Sequence, residues 1–319
     1  MINKDKIEIE DFEDFVANEV IEERDEIKSK KFLFTNKKIA ISISESENLE
    51  ELGFSKIHQQ DTILELTRYL IINGATLLYG GDLRAEGYTF LFSEIVKQYT
   101  PHKDNKRYYE NYFSFPIYLN IQEKQNLDFI KNGVKVNKVT PPDELNLNKN
   151  EFYPPIGNDN LFIWSECLTK MRNQMNDSNY ARIFMGGRKS NFKGKYPGLL
   201  EEVLLSLKSD KPTYLIGAFG GITKSIIDAL SNEQPDELSE KWQRNQNSEY
   251  DKFIDFYNSK EDITKIDYSE NLKFINSYSL KKLSKNNGLS ESENKRLFET
   301  IHLHEIIYLV LKGLKKSLN

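Results

Sequence analysis

The sequence has one cysteine, no excess of positive charge and no long apolar run, and each absence excludes a class of protein. The single cysteine, Cys167, excludes an internal disulfide framework and a cysteine-based zinc site. The net charge of −5 argues against a nucleic-acid-binding surface, because affinity for duplexes depends on a concentrated positive field. No apolar run approaches the roughly 20 residues of a membrane span, and the charged N-terminus is unlike a signal peptide. We therefore expect a soluble, cytoplasmic protein that binds neither nucleic acid nor membrane and holds no metal.

The stretch from residue 37 to about 230 has alternating strand and helix patterns and forms the predicted core domain. The predicted strands cover residues 38–44, 75–79, part of 112–119, 134–139, 181–185 and 212–216. The predicted helices cover residues 58–73, 88–99, 122–131, 160–175 and 197–207, and another begins at residue 223. This alternation is typical of an α/β, Rossmann-like fold, with a parallel sheet, flanking helices and right-handed crossovers.

Two flanking regions differ from this core. Residues 1–36 form a predicted N-terminal arm with a helix near residues 12–21, which either packs on the body or reaches a partner. Residues 231–319 form a predicted helical C-terminal extension with no strand-like run. Its last helix opens with a possible capping box at Ser290 and carries an apolar face as far as Leu314. Such a tail packs back on the domain or forms a homo-oligomer contact.

Four predicted strands end in glycine, serine or acidic residues, and this pattern indicates a ligand site. Glycine after a strand lets the backbone turn sharply and lets a ligand approach its N–H groups. In an open parallel sheet, ligands bind beyond the carboxyl ends of the strands, where helix N-termini favour phosphates. The candidate residues are Ser42, Ser44 and Glu45; Gly80, Gly81, Asp82 and Arg84; Gly186, Gly187 and Arg188; and Gly217, Phe219, Gly220 and Gly221. They predict a pocket for a phosphorylated small molecule, with a nucleotide as the leading candidate.

The segment after the third of these strand ends has the strongest chemical signal. A basic loop of residues 189–196, which includes Lys195, follows the glycine pair and Arg188. Pro197 and Gly198 then open a helix. The first turn of that helix holds Glu201 and Glu202. Each glutamate is a candidate to accept ribose hydroxyls, to act as base or nucleophile at a sugar, or merely to complement the helix dipole. The sequence does not decide which of the two faces the pocket.

Charged residues near the other strand ends have predicted roles of their own. Arg84 and Arg188 are predicted to contact phosphate, since a guanidinium can make a two-pronged contact to it. Asp82 is predicted to bond a ribose or to anchor its loop. Residues 141–158 form a proline- and asparagine-rich loop that is a candidate cover for the site.

Taken together, these four motifs resemble the SLOG superfamily. That superfamily joins the Rossmann-like domains of the DNA-processing A protein, the cytokinin-activating LOG phosphoribohydrolases and the sensor domain of melastatin-type TRP channels. The resemblance covers about residues 37–230 and is strongest to the prokaryotic branch related to the channel sensor. It implies a nucleotide pocket for an ADP-ribose-like or cyclic nucleotide ligand, with no required cofactor. Relatives often occur in bacterial anti-phage and NAD-signalling systems, beside or fused to TIR, sirtuin-like or pore-forming effectors, so a separate effector protein is an expected partner.

One departure from the superfamily bears on activity. Its enzymatic branch has a Pro-Gly-Gly-x-Gly-Thr motif followed by a catalytic glutamate, and residues 197–202 lack the second glycine and the Gly-Thr pair. The leading hypothesis is therefore a sensor that binds an ADP-ribose-type signal. The alternative is a nucleotide N-glycosidase or phosphoribohydrolase that uses Glu201 or Glu202. A third hypothesis is a scaffold that has kept the fold without the ligand.

Overall fold

The computed structural model describes residues 32–81, 83–84, 86–99 and 107–318. Two predicted features, the helix near residues 12–21 and the site residue Asp82, lie outside these described residues. The described part has the predicted α/β architecture, with one parallel sheet and helices packed on both of its faces.

The order of the strands in the sheet decides where a ligand can bind. The strands are β1 (Lys38–Ser44), β2 (Thr76–Gly80), β3 (Tyr109–Ser114), β4 (Val134–Val139), β5 (Ala181–Gly186) and β6 (Thr213–Ile216). All pairings are parallel and the order is β4-β3-β2-β1-β5-β6. The chain builds outward from β1 to β4, and then returns to add β5 and β6 on the other side of β1. The direction reverses between β1 and β5, and such a switch point is where open α/β sheets bind ligands.

Helices cover both faces of the sheet and continue into a helical C-terminal region. They are α1 (Lys56–Ile72), α2 (Tyr88–Tyr99), α3 (Glu123–Lys131), α4 (Asn158–Ser178), α5 (Gly198–Lys208), α6 (Gly221–Leu230), α7 (Glu240–Gln246), α8 (Ser248–Ser259), α9 (Tyr268–Ser277), α10 (Leu280–Asn287), α11 (Glu291–Glu299) and α12 (Leu303–Ser317). Helices α1, α2 and α12 share a core with the first face of the sheet. Helices α4, α5 and α6 pack on the second face, together with α8, α9 and α10.

The side chains of β1 explain how α4 lies close to the sheet. Successive side chains of a strand point to opposite faces. Ile39, Ile41 and Ile43 enter the first core, whereas the small Ala40 and Ser42 lie on the second face. The small residues let α4 approach the sheet while they leave space at the carboxyl end of the strand.

The bounds of β1, α2 and β4 are those predicted. Strand β3 is predicted to lie within residues 112–119 but begins earlier, at Tyr109. Its first residues look polar, but Glu110 is buried there and lies 2.7 Å from Lys38 Nζ. Burial alone would raise the pKa of Glu110, but the hydrogen bonds and charges of Lys38 and Lys135 together outweigh it and lower the pKa below its usual value. A strand can thus begin near a carboxylate when other strands of the sheet supply the cations.

The predicted last helix is in fact two helices, α11 and α12. The backbone of Thr300 is extended between them, with φ −67° and ψ 132°. The Thr300 hydroxyl donates to Glu305 and accepts from the His302 N–H at 3.2 Å, which fastens the start of α12. The capping box at Ser290 is present as predicted, and α12 buries Ile306, Val310 and Leu314 against the sheet.

Candidate functional site

A cleft of about 230 Å³ lies at the switch point, between the ends of β1 and β2 and the start of α5. Its lining includes these predicted site residues: Ser42, Ser44, Gly80, Gly81, Arg84, Arg188, Gly198 and Glu202. The structure therefore brings together three of the four predicted strand ends. The two arginines are exposed at the cleft, whereas Glu202 is buried in its floor.

Gly81 shows why the chain needs glycine at the end of β2. A Cβ atom there would lie 2.6 Å from Nδ2 of Asn111, which is fully buried in β3. The Gly81 N–H also donates to the Tyr112 carbonyl at 3.0 Å, so the β2 backbone is held close against β3. The glycine serves the packing of the strand end, and this packing leaves the cleft open beside it.

Beneath the cleft lies a buried network of two arginines and two glutamates. Arg182 projects from β5, is fully buried, and donates from Nε to Ser42 Oγ at 2.7 Å. Its Nη2 lies 2.9 Å from Glu202 Oε1. Arg172 of α4 pairs with Glu201, and its Nε lies 3.8 Å from Glu202 Oε1. Glu201 also accepts from the Thr169 hydroxyl at 2.6 Å.

This network decides which glutamate can meet a ligand. Glu202 lines the cleft, whereas Glu201 is held behind it by Arg172 and Thr169. Burial lowers the pKa of Arg182, and the Glu202 carboxylate opposes that shift. Within the described part of the chain, Arg182 Nη1 has no hydrogen-bond partner. Removing one member of a buried charge pair typically costs about 3–5 kcal/mol, so these residues also hold the floor of the cleft in place.

Neither Arg172 nor Arg182 is among the residues predicted from the sequence. Arg182 did carry a signal, since an arginine inside the otherwise apolar run 181–185 must be paired if the strand is buried. Arg172 carried less, because its place in a long amphipathic helix is also typical of a surface residue. Two glycines lie close against Arg172, one in the basic loop and one at the start of α5. A Cβ atom on Gly194 would lie 3.0 Å from Arg172 Nη1, and one on Gly198 would lie 2.9 Å from Nη2.

The turn after β5 places Arg188 at the mouth of the cleft. The Gly187 N–H donates to the Ser44 carbonyl at 2.9 Å, and the Arg188 N–H donates to Ser44 Oγ at 3.2 Å. Gly186 turns tightly here, since a Cβ atom on it would lie 2.8 Å from Ser46 Oγ. The amides of Gly187 and Arg188 are therefore used within the protein, and the turn offers a ligand the Arg188 guanidinium instead.

Helix α5 begins inside the cleft, since Gly198 and Leu199 belong to the lining. Its N-cap is Pro197, and among the described residues no side chain caps this end with a hydrogen bond. The first amides of a helix carry partial positive charge and favour anions. The Arg172 guanidinium lies against the same end, beside Gly198. An anionic group in the cleft therefore meets both a helix N-terminus and an arginine.

A second part of the lining is apolar. Leu168 and Met171 of α4, Tyr79 of β2, Phe192 of the basic loop and Ile117 of a short 3-10 helix contribute to it. Aromatic and aliphatic side chains of this kind pack well against a flat ring. The cleft thus combines an end lined by arginines and a helix N-terminus with an apolar wall.

The fourth predicted strand end does not reach this cleft. A Cβ atom on Gly217 would lie 2.7 Å from Ile227 Cδ1, so this glycine serves the packing of α6. The ring of Phe219 is buried, with its centre 5.2 Å from that of Phe54. Both residues belong to the interior of the protein, and their predicted role in binding stays a prediction.

Helix α6 starts in a closed environment. The Gly221 N–H donates to Asn48 Oδ1 at 3.2 Å, and the Ile222 N–H donates to the Gly187 carbonyl at 2.9 Å. Gly220 packs against Asn48, where a Cβ atom would lie 2.7 Å from Oδ1. The bond from Ile222 to Gly187 links the turn after β6 to the turn after β5. Two amides at the start of α6 are therefore bonded within the protein.

Two other predicted residues lie near the cleft without lining it. Glu45 is 2.8 Å from Lys56 Nζ and lines a neighbouring cavity. The carbonyl of Lys195 accepts from the Tyr250 hydroxyl at 2.5 Å, and its Nζ is 5.9 Å from the centre of the Tyr257 ring. Lys195 therefore ties the basic loop to the C-terminal helices.

The loop 141–158, a candidate cover from the sequence, packs along α4. Lys170 Nζ of α4 donates to the Pro141 carbonyl at 2.9 Å, and Trp164 Nε1 donates to the Tyr153 carbonyl at 2.6 Å. None of its residues belongs to the described lining of the cleft. The basic loop, through Phe192, is the segment that contributes to the cleft wall.

Comparison with known families agrees with this architecture. The family model described as SLOG cluster2 matches residues 33–297, which is most of the chain. The chain belongs to the SLOG cluster2 family. SLOG domains are in general Rossmann-like, sensor-type domains that bind nucleotides or other small ligands, and the SLOG match here extends past residue 230 into the C-terminal helices. No curated protein matches the chain.

Within the described ranges, no group of three or more histidine, cysteine, aspartate or glutamate side chains is placed to hold a metal ion. No helix of those ranges is long and apolar enough to cross a membrane. Burial raises the pKa of Cys167 to about 12, so its thiol in α4 is unreactive near neutral pH.

Proposed function

We propose that this SLOG protein is a sensor that binds an ADP-ribose-type nucleotide in the switch-point cleft. One observation carries the proposal: an exposed arginine, an uncapped helix N-terminus and an apolar wall meet in one cleft. A nucleotide has an anionic phosphate, a hydroxyl-bearing sugar and a flat base. The first two need charged or polar partners and the third an apolar wall.

In this proposal each part of the ligand has a named partner. Arg188 and Arg84 contact the phosphates, beside the first amides of α5. Glu202 accepts hydrogen bonds from the ribose hydroxyls, because Arg182 holds its carboxylate at the floor of the cleft. The base packs against Leu168 and Met171. No cofactor is needed for binding of this kind.

The pairing of the two glutamates and the sequence around them favour a sensor over an enzyme. Glu202 is paired with a buried arginine, and Glu201 is paired with another, so each carboxylate is oriented as a hydrogen-bond acceptor. Residues 197–202 also lack the second glycine and the Gly-Thr pair of the enzymatic branch's motif. In this proposal the ligand is therefore held rather than cleaved.

The basic loop gives the bound ligand a route to the rest of the protein. Phe192 lines the cleft and packs on Tyr250 of α8, with ring centres 4.8 Å apart. Gln243 of α7 donates to the Lys189 carbonyl at 3.0 Å. A ligand that favours one position of this loop shifts the balance of conformations in α7 and α8. The signal then passes to a separate effector protein, or to a second copy of this chain, and a role in anti-phage or NAD-linked signalling fits such an output.

The alternative function is hydrolysis of an N-glycosidic bond, and the position of Glu202 is the observation that favours it. Glu202 is the glutamate of the pair that lines the cleft. In a hydrolase it would stabilise or attack the oxocarbenium-like carbon of the ribose, while the base leaves and water completes the reaction. Glu201, held by Arg172 and Thr169, would position the arginine.

Mass spectrometry of recovered ligands distinguishes these functions. Pure protein is incubated with ADP-ribose, cyclic ADP-ribose isomers, NAD and nucleoside monophosphates, and bound and free compounds are then separated. A sensor retains one compound intact. Release of a free base with a ribose phosphate, abolished by Glu202→Gln, would show the hydrolase. Neither retention nor product would contradict both functions and favour a scaffold.

A further inference from the structure

The basic loop carries a second set of hydrogen-bond donors, next to the cleft, that converges on one carboxylate. The Ser190 N–H donates to Glu47 Oε1 at 3.2 Å, and the Ser190 hydroxyl donates to the same oxygen at 3.0 Å. The Lys189 N–H donates to Glu47 Oε2 at 3.4 Å. Two backbone amides and a hydroxyl therefore surround the end of the Glu47 side chain.

Such a set of donors also suits a phosphoryl group. Carboxylate and phosphoryl oxygens are both anionic acceptors, and successive backbone N–H groups in a loop form anion-binding concavities. Glu47 is exposed, so its bonds to the loop are in contact with water and each contributes little. A phosphoryl group with more charge and more oxygens can displace it at small cost.

The position of these donors connects them to the proposed nucleotide cleft. A cavity of about 260 Å³ is lined by Glu47, Arg188 and Asn191, with Glu45 and Ser46. Arg188 also lines the cleft, so its side chain stands at the boundary of the two spaces. A ligand whose first phosphoryl group contacts Arg188 from the cleft can direct a second one towards Ser190.

We propose that the Lys189 and Ser190 donors form a subsite for the second phosphoryl group of a nucleoside diphosphate-type ligand, and that Glu47 competes with that group for them. This inference rests on the proposed function, since it needs a nucleotide in the cleft. It adds that the protein distinguishes diphosphate from monophosphate nucleotides, and that Glu47 sets the strength of this distinction. Binding of the second phosphate exchanges an internal contact between the β1–α1 connection and the basic loop for a contact with the ligand.

Calorimetric titration with ADP and AMP, at one fixed ionic strength, tests whether Glu47 competes with the second phosphoryl group. The direction in which Glu47→Gln changes the affinity for ADP is the decisive result. Glu47→Gln removes the competing charge, so ADP should bind about three- to tenfold more tightly, while the affinity for AMP changes by less than about twofold. Ser190→Ala removes one donor and should weaken ADP about three- to tenfold while AMP is spared. If Glu47 only holds the loop in place, Glu47→Gln instead weakens both nucleotides, and that result overturns the inference.

Glu45→Gln is the matched control, because Glu45 lines the same cavity but pairs with Lys56 and does not contact the loop donors. An equal gain in ADP affinity with Glu45→Gln would show a general charge effect and overturn the competition. If AMP binds, but Glu47→Gln leaves the preference for ADP over AMP unchanged or lowers it, this inference alone is overturned. Failure of ADP and AMP to bind any variant, while ADP-ribose binds the wild type, overturns this inference alone. Failure of all three nucleotides overturns the proposed function along with it.

Discussion

The turns after β5 and β6 look alike in the sequence and differ in the structure. Each has a glycine pair and leads towards a helix, and each pair has positive φ angles. The turn after β5 brings Arg188 to the cleft and is followed by α5, whose uncapped start lies in the cleft. The turn after β6 is filled: its first helical amides bond to Asn48 and to the Gly187 carbonyl.

The difference follows from the order of the strands. β5 lies beside β1 at the point where the direction of strand addition reverses, so the helices that follow β1 and β5 lie on opposite faces and a crevice opens between them. β6 is added outside β5, and α6 packs back on the β5 turn. A glycine pair after a strand therefore permits a cleft, but the position of the strand in the sheet decides whether one opens there.

The largest expected effect concerns Arg182 and Glu202, the buried charges that lie beneath the cleft on the side of the β5 turn. Arg182→Met should lower the free energy of unfolding by about 3–5 kcal/mol, because it leaves Glu202 buried without the closer of its two cations. Urea denaturation measures this loss. The double variant Arg182→Met with Glu202→Leu should recover most of it, since replacing both members of a buried pair is often neutral. Wild-type stability of the single variant would mean that the floor of the cleft is not built as described.

Alanine at one glycine of each turn tests the comparison directly. A Cβ atom on Gly221 would lie 2.6 Å from the Gly186 carbonyl carbon, at a φ of +65°. Gly221→Ala should therefore cost more than about 2 kcal/mol in unfolding free energy. Gly198→Ala should stay within about 1 kcal/mol of wild type in stability, since its Cβ meets only the Arg172 side chain, and should weaken nucleotide binding instead. A large loss of stability in Gly198→Ala together with a small one in Gly221→Ala would contradict the comparison.

Removal of the exposed arginines should change binding and leave folding unchanged. Arg188→Ala and Arg84→Ala should each weaken the ligand retained by the protein about tenfold or more, because a charge-assisted bond to phosphate contributes about 1.5–3 kcal/mol. Lys131→Ala removes an exposed cation at the end of α3, near the amino end of β4, and serves as the control for net charge. Unchanged affinity in both arginine variants, measured by calorimetry, would show that the site assignment is wrong.

The smallest expected effect concerns the helices that pack behind the β6 turn. The hydrogen bond from Lys312 lowers the pKa of Glu293 from its usual 4.5 to about 2. The folded state thus prefers the ionised carboxylate, and the stability that it contributes is present above pH 4.5 and lost as the pH falls towards 2. The contribution should be below about 1 kcal/mol, because the pair is partly exposed to solvent. Urea midpoints of wild type and Glu293→Gln should differ at pH 6 and converge towards pH 2; a constant difference would contradict this origin.

Much of the fold follows from local patterns, and the exceptions have identifiable causes. The periodic apolar residues of β1, α2 and β4 are enough to place their ends. The start of β3 escapes such a prediction because Glu110 is buried through a salt bridge to Lys38 of another strand. The break before α12 escapes it because the Thr300 hydroxyl bonds across the junction, while the apolar spacing continues through it. In both cases a side-chain contact outside the helical or strand period decides the local structure.

The sequence predicts the residues of the cleft that follow the ends of strands. It does not predict their partners on other elements of the fold. Arg188 follows directly from the motif after β5, whereas the sequence offers Glu201 and Glu202 equally and only the structure shows that Glu202 lines the cleft. Arg172 comes from α4, and only the folded structure shows that it meets Glu201. The four-part glycine pattern also suggested that residues 217–221 share the site, because a motif does not specify the order of strands in a sheet.

Photoaffinity labelling is the most direct test of the central claim. That claim is that the nucleotide binds in the cleft between the ends of β1 and β2 and the start of α5, and not at the turn after β6. An azido derivative of ADP-ribose, with the azide on the base, is cross-linked to the protein and the labelled peptides are identified by mass spectrometry. We predict label in residues 168–172 or 188–192 that is lost in the presence of excess unmodified ADP-ribose. Competable label in residues 217–223, with none around the cleft, would contradict the account.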